Sequence, residues 1–211
     1  MPLVLERVER VRTDRLKSTD KGMQNLHPTR FREINNPIKC LVIPVVSSER
    51  RKHIPMGFID NNTISTNGNL IMPNAQLYHF GILMSTMHMS WVKTTCGRLK
   101  SDYRYSKDIV YNNYPWPENP TNKQIKTIEE KAQAVLDARA AFPDSSLADL
   151  YDPLTMPPAL VKAHNELDKA VDAAYSKQAF TSEAKRMEFL FELYEKYTAG
   201  LFGGEKKERK K

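Results

Sequence analysis

Residues 61–92 contain no Lys, Arg, Asp or Glu, and this charge-free stretch constrains the fold more than any other feature. Charged side chains make up 27% of the whole sequence, so a gap of this length sets the segment apart from the rest of the chain. Within it, Ala75–Val92 is long enough for a helix and apolar on most faces. We therefore predict that it is the buried helix of the first half. Its methionines are expected to be core side chains: Met84, Met87 and Met89.

The rest of the first half has the pattern of short strands. A helix is predicted over residues 3–17, where Val4, Val8 and Val11 recur at helical spacing. Strands are predicted at four apolar or β-branched runs between turn residues: Cys40–Val46, Ile54–Ile59, Thr63–Thr66 and Leu70–Met72.

The second half is patterned for helices. Thr121 and Gln124 form a capping box that predicts a helix to about residue 142. Other start and stop signals predict Ser146–Tyr151, a helix from Pro157, and a helix from Thr181 to Gly200. The sequence therefore predicts an α+β fold, with short strands around a buried helix in a mixed N-terminal domain and a C-terminal helical bundle.

The predicted domain boundary lies at Pro115-Trp116-Pro117, because two prolines around a tryptophan cannot continue a helix. We predict a first domain at 1–117, a helical domain at 118–202 and a disordered basic tail at 203–211. The first helix begins directly after Met1-Pro2 without an N-cap residue. The first domain is therefore expected to be truncated at its N-terminus.

Charge differs between the two halves. Residues 1–117 have 17 basic and 9 acidic side chains, a net charge of +8, whereas residues 118–211 have 15 and 16, a net charge of −1. This asymmetry favours a polyanionic partner for the first half. It does not distinguish DNA, RNA and an acidic protein.

The chain has no recognisable active-site motif. G-x-x-x-x-G-K-[ST], G-x-G-x-x-G and H-E-x-x-H are all missing, and the sequence nearest to an adenine methyltransferase loop, residues 36–39, lacks the second proline and the aromatic residue. His164 and Asp168 could form a dyad at i, i+4, but a hydrogen bond on the helix surface is the expected arrangement. Asp149 and Asp152 are expected to have capping or turn roles. We predict no catalytic residue, no metal site and no cofactor in this chain.

The two cysteines, Cys40 and Cys96, have neither C-x-x-C nor zinc-finger spacing, which is typical of free thiols in a reducing compartment. The longest uninterrupted apolar run, Leu41–Val46, is too short to span a bilayer, and the N-terminus has no signal-peptide pattern. We expect a cytoplasmic protein without a membrane partner.

Two basic segments are the candidate DNA-binding residues. The first lies within Gly97–Ser106 and comprises Arg98, Lys100, Ser101, Asp102, Tyr103, Arg104 and Tyr105. Guanidinium groups can bond the major-groove edge of guanine, lysines and hydroxyls can hold phosphates, and a carboxylate can accept from cytosine. The second comprises Arg50, Arg51 and Lys52, three adjacent cations suited to a phosphate backbone. The alternatives are an exposed loop with ordinary charge pairing and a solvated hairpin tip.

Several longer motifs resemble the end of single-chain type IIL/IIG restriction–modification enzymes. In the target-recognition part they are Val46–Pro55, Met87–Trp91, Gly97–Ser106 and Tyr111–Pro117, and in the helical part Ser146–Pro153 and Met156-Pro157. The resemblance extends, in order, from about Arg7 to Leu201.

The resemblance implies that this chain is the target-recognition domain and C-terminal helical domain of an adenine-specific DNA methyltransferase that uses S-adenosylmethionine. The partners implied are double-stranded DNA and an upstream methyltransferase domain of the same polypeptide, which would flip and methylate the adenine. The chain alone would be non-catalytic and a weak DNA binder, with its helical half as a brace. Whether the parent has a nuclease is left open.

Three other functions remain open at this point. The chain could be a protein-interaction or specificity subunit that docks onto a separate catalytic subunit. It could be a self-sufficient enzyme that uses His164 and Asp168. It could also bind RNA, with Tyr103, Tyr105 and Trp116 stacking on unpaired bases.

Overall fold

A computed structural model describes residues 1–32 and 37–202 of the chain. The chain divides into two compact units, residues 1–36 and 37–211. The predicted basic tail, residues 203–211, lies outside the described residues.

The first unit consists of two helices, α1 (Pro2–Leu16) and α2 (Lys21–Gln24). The predicted N-terminal helix is confirmed. The guanidinium of Arg15 donates hydrogen bonds to the carbonyls of Leu26 at 3.3 Å and Arg30 at 2.6 Å. These bonds fold the segment after α2 back onto the end of α1.

The second unit begins with strands and ends with helices. Its strands are β1 (Lys39–Pro44), β2 (Val46–Ser47), β3 (Gly57–Asp60), β4 (Asn69–Pro73), β5 (Gly97–Leu99) and β6 (Asp102–Arg104). Its helices are α3 (Leu77–Leu83), α4 (Thr86–Thr95), α5 (Asn122–Ala140), α6 (Leu147–Leu150), α7 (Pro158–Tyr175) and α8 (Glu183–Phe202), with a π-helical turn at Lys107–Tyr111. The predicted α+β fold class is confirmed.

The strands form two antiparallel sheets, ordered β3-β1-β4 and β2-β6-β5. The predicted strand Cys40–Val46 is therefore wrong as a single element, because β1 ends at Pro44 and Val46 belongs to the other sheet. Val45 joins the two sheets: its carbonyl accepts the Tyr105 N–H at 2.7 Å, and its own N–H bonds the Gly68 carbonyl at 3.0 Å. The predicted strand Thr63–Thr66 is also wrong, since that segment forms turns and irregular backbone.

The predicted helix Ala75–Val92 is largely buried as expected, but it forms two helices rather than one. The hydroxyl of Ser85 accepts the His88 N–H at 3.3 Å and starts α4, so the helix breaks after Met84. Met84, Met87 and Met89 are core side chains, which confirms their predicted role.

Local capping signals place most helix starts in the C-terminal part. The capping boxes Thr121–Gln124 and Ser146–Asp149 are both present. The last helix differs from the prediction. The hydroxyl of Ser182 accepts the Lys185 N–H at 3.2 Å in place of the predicted Thr181 cap, and the helix continues past Gly200 to Phe202.

One hydrophobic core extends through the second unit, and it includes Phe80 of α3, Ile128 of α5 and Leu167 of α7. Elements on either side of Pro117 therefore pack together. The predicted boundary after residue 117 stays a prediction.

Candidate nucleic-acid interface

The two predicted basic segments are neighbours in the structure. In the β2-β6-β5 sheet, Val46 pairs with Arg104 and Ser47 pairs with Tyr103. The carboxylate of Asp102 also accepts the Glu49 N–H at 3.3 Å. The basic turn (Ser48–Lys52) and the hairpin (Gly97–Arg104) therefore form one surface.

This sheet has a buried face and an open face, because side chains alternate along each strand. Ser47 and Tyr103 point into the core, at 3% and 4% exposure. Val46, Arg104 and Gly97 share the opposite face and are exposed. A Cβ added at Gly97 would meet only the Arg104 carbonyl oxygen, at 3.8 Å, so described residues leave this face uncovered.

Arg98 is held in place by its neighbours on the hairpin. Its guanidinium lies 4.2 Å from the ring centre of Tyr103 and donates to the Ser101 carbonyl at 2.9 Å. The Glu49 carboxylate lies 4.0 Å away, at the edge of ion-pair range. Tyr103 therefore acts as a support that orients the cation.

The hairpin tip projects two polar residues. Lys100 and Ser101 are exposed, and Lys100 has φ 58, in the left-handed region that lysine rarely adopts. The short turn between paired Leu99 and Asp102 imposes this conformation. The ammonium group thus lies at the end of the hairpin, where it can reach a partner.

Most cations of this surface have no carboxylate partner. Within residues 1–32 and 37–202, no acidic group lies within 4.0 Å of the charged atoms of Arg50, Arg51, Lys52, Lys100 or Arg104. These five unpaired cations give the surface its positive charge, and an anionic partner would not have to displace an existing ion pair.

Two of the candidate residues, Tyr103 and Tyr105, lie in the core. Tyr103 and Tyr105 are 4% and 2% exposed, so neither ring is available to stack on a base. The Tyr105 hydroxyl bonds Nε2 of His88 at 3.0 Å. Trp116, the third aromatic candidate, packs against Tyr78 and Tyr114.

The structure forms neither the predicted surface hydrogen bond between His164 and Asp168 nor the alternative, a catalytic dyad. His164 is 1% exposed, and its Nε2 bonds the hydroxyl of Tyr151 at 2.7 Å. Asp168 instead accepts the Thr86 N–H at the start of α4, at 2.7 Å. Both side chains have structural partners, so an enzyme built on this pair is not supported.

The other two acidic candidates have the structural roles predicted for them. Asp149 accepts hydrogen bonds from the backbone and hydroxyl of Ser146 at 3.1 and 2.6 Å. Asp152 accepts the Leu154 N–H at 2.8 Å in a turn. In the part of the chain that the structure describes, no group of three potential metal ligands occurs and no helix is long and apolar enough to cross a membrane.

Three buried histidines predict that the second unit is unstable in acid. Burial lowers the pKa of His53 and His88 to about 4 and that of His164 to about 2. The unfolded chain binds these protons near pH 6.5, so each histidine lowers the free energy of unfolding by about 1.4 kcal/mol per pH unit below that value. Burial raises the pKa of Asp168 to about 6, so between pH 6 and 4 the folded protein binds a proton there that the unfolded chain does not. Over this range acidification therefore stabilises the fold through Asp168, which cancels the destabilising effect of one histidine.

We therefore expect the free energy of unfolding to fall by roughly 3 kcal/mol from pH 6 to pH 5, measured by urea denaturation. His88→Gln should reduce this slope by about half, because one proton-binding site of the unfolded chain is lost. An unchanged slope in that variant would show that His88 does not account for the acid sensitivity.

Comparison with known protein families gives two matches, one for each half of the chain. Residues 1–118 match the family model "MmeI, target recognition domain", and residues 120–202 match "MmeI, C-terminal domain". The chain belongs to the MmeI family. This confirms the resemblance to type IIL restriction–modification enzymes.

Two known proteins are similar to this chain over nearly its whole length. One is a solved structure titled "Structure of Type IIL restriction-modification enzyme MmeI in complex with DNA has implications for engineering of new specificities", with 48% identity, a TM-score of 0.86 and coverage of 94% of this chain. The other is "DNA methyltransferase A" of Bacillus subtilis (strain 168), 44% identical over 93% of this chain. The chain spans 27% of the first protein and 22% of the second.

Proposed function

We propose that this chain is a DNA-recognition module that contacts double-stranded DNA through the hairpin and the basic turn. The observation that supports it most directly is the open surface with five unpaired cations, formed by two segments that are far apart in sequence. A phosphate backbone offers the complementary charge. The related MmeI structure is a complex with DNA.

On this surface the side chains divide into two groups. Arg50, Arg51 and Lys52 suit phosphate contacts, since they lie on a turn beside the sheet. Arg98, Lys100, Ser101, Asp102 and Arg104 belong to the hairpin, whose exposed tip would face the base edges in a groove. Tyr103 and Tyr105 support this surface from the core.

The parent protein, in this proposal, is an adenine-specific DNA methyltransferase or a combined restriction–modification enzyme. Its methyltransferase domain would bind S-adenosylmethionine and modify the flipped adenine. No residue of this chain is assigned to that cofactor, and none is assigned a catalytic role. We propose that the protein acts in the cytoplasm, where the proposed DNA partner lies and where the free thiols of Cys40 and Cys96 would stay reduced.

Competition between duplex DNA and single-stranded RNA tests the proposal. The chain should bind a labelled duplex, and unlabelled duplex should compete at least about tenfold better than RNA of equal length, because the aromatic rings that would stack on bases are buried. Fluorescence anisotropy at low salt measures both. Stronger competition by RNA would indicate an RNA-binding module, and no binding to either would leave a module that docks onto another protein.

A further inference from the structure

The basic turn is held at both ends, while Arg50 and Lys52 stay exposed and Arg51 is half-buried. Before the turn, Ser47 pairs with Tyr103 in the sheet, and the Glu49 N–H bonds the Asp102 carboxylate at 3.3 Å. After the turn, the chain enters the core at His53, which directly follows Lys52 and is 5% exposed. The second anchor is made by the C-terminal helices.

His53 meets the helical part through a ring contact. Its imidazole stacks on that of His164 in α7, with ring centres 4.1 Å apart and planes inclined by 21°. The Nδ1 atoms of both rings have no hydrogen-bond partner within the described residues, although both rings approach the backbone carbonyl of Met84. His53 is therefore held by the stacked ring of His164 and by its approach to the Met84 carbonyl.

Further into the core, Arg139 of α5 completes the arrangement. It is 8% exposed and donates from Nε to the Tyr151 hydroxyl at 2.8 Å and from Nη1 to the Met56 carbonyl at 2.7 Å. Because arginine only donates, the Tyr151 hydroxyl proton is directed to Nε2 of His164, at 2.7 Å. Arg139 thus holds the segment after the turn directly at Met56 and indirectly at His53.

We infer that Arg139, Tyr151, His164 and His53 are positioning residues that set the geometry of the basic turn against DNA. This inference rests on the proposed function. It gives the helical part of the chain a defined contribution to DNA affinity, exerted through the buried polar network of these four residues. None of the four touches DNA itself.

Tyr151→Phe is the variant that tests the network, because it removes the hydroxyl shared by Arg139 and His164 and keeps the ring. Val171→Ala is the matched control: Val171 is fully buried in the same helix as His164, and the change destabilises the core without touching the network. Each substitution is made separately in the wild-type chain and in a variant without the turn cations, Arg50→Gln/Arg51→Gln/Lys52→Gln, called the turn triple. Duplex-DNA affinity is measured across a salt series for each protein.

We expect Tyr151→Phe to weaken DNA binding about tenfold and to flatten the salt slope by up to about three phosphate equivalents. In the turn triple, the same substitution should cost no further affinity, because the cations it positions are gone. Val171→Ala should leave affinity and slope unchanged. In the DNA-free chain, Tyr151→Phe should speed amide exchange at residues 49–53 relative to residues 98–103.

Equal losses from Tyr151→Phe in both backgrounds, or unchanged exchange at residues 49–53, would overturn the inference. A turn triple that binds like the wild type would also overturn it, because the turn would not be a DNA contact. In that case the proposed function would still be tested by substitutions in the hairpin.

Discussion

Replacing Gly81 with valine should destabilise the second unit by more than about 3 kcal/mol. Gly81 lies in α3 where three helices meet. A Cβ there would lie 2.6 Å from Cγ2 of Ile128 and 3.3 Å from both Ala132 Cβ and Leu167 Cδ1. Real Cβ atoms do not approach to 2.6 Å, so α3 would have to move away from α5 and α7, and valine adds two further methyl groups.

Alanine at the same site should have a smaller effect. The clash costs roughly 1–3 kcal/mol, and the higher helix propensity of alanine returns about 1 kcal/mol. Gly57→Ala is the control, because a Cβ there meets only Cδ1 of Leu147, at an ordinary 3.6 Å. The free energy of unfolding of the three variants, Gly81→Val, Gly81→Ala and Gly57→Ala, is measured by urea denaturation, with circular dichroism and tryptophan fluorescence as the two signals.

The Gly81 contact joins α3, before the predicted boundary, to α5 and α7, after it. The two spectroscopic transitions should therefore coincide in the wild type and shift together in Gly81→Val. A wild-type unfolding midpoint for Gly81→Val, or separate transitions for helix content and tryptophan environment, would contradict the shared core.

Removing the three hairpin cations should have the largest effect on binding. We expect Arg98→Gln/Lys100→Gln/Arg104→Gln to weaken duplex-DNA affinity roughly a hundredfold, at about 1 kcal/mol for each lost contact. Lys100 and Arg104 have no ion pair within the described residues, and Arg98 is held by Tyr103. Glutamine retains hydrogen-bonding ability, so the loss reports charge.

The matched control removes the same charge from the helical part. Lys123, Lys126 and Lys162 are exposed on α5 and α7. Changing all three to glutamine should leave DNA affinity within about twofold, because these residues lie outside the proposed interface. Equal losses from the two triple variants would show that net charge, rather than the hairpin, determines binding. Thermal denaturation of both proteins checks that each stays folded.

Features set by neighbouring residues could be predicted from the sequence. Thr121 with Gln124, and Ser146 with Asp149, start helices through contacts three residues apart, and these local signals are visible in the sequence. The burial of the predicted helix Ala75–Val92 was equally clear. Its break was missed because continuous apolar character hid the cap that Ser85 supplies to α4.

Features that depend on distant residues could not be predicted in this way. Val46 and Arg104 pair across 58 positions, and nothing near either residue indicates the other. The adjacency of the basic turn and the hairpin follows from that pairing. The sequence therefore identified both segments as separate candidates, and only the fold makes them one surface.

One error had a signal that was available. His164 follows Leu160 by four residues and precedes Leu167 by three, so helical spacing places it on the buried face of α7. Its partners, Tyr151 and Arg139, could not be found from spacing because they belong to other elements. The role of Arg139 was missed entirely, since a charged residue in a long helix is usually exposed.

The salt dependence of duplex-DNA binding tests the central claim most directly. Log affinity is measured against log salt concentration for the wild type, the hairpin triple and the helical control triple. We predict a linear decrease for the wild type, a slope reduced by up to about three in the hairpin triple, and a wild-type slope in the control. A hairpin triple with the wild-type slope and affinity would show that this surface does not bind DNA.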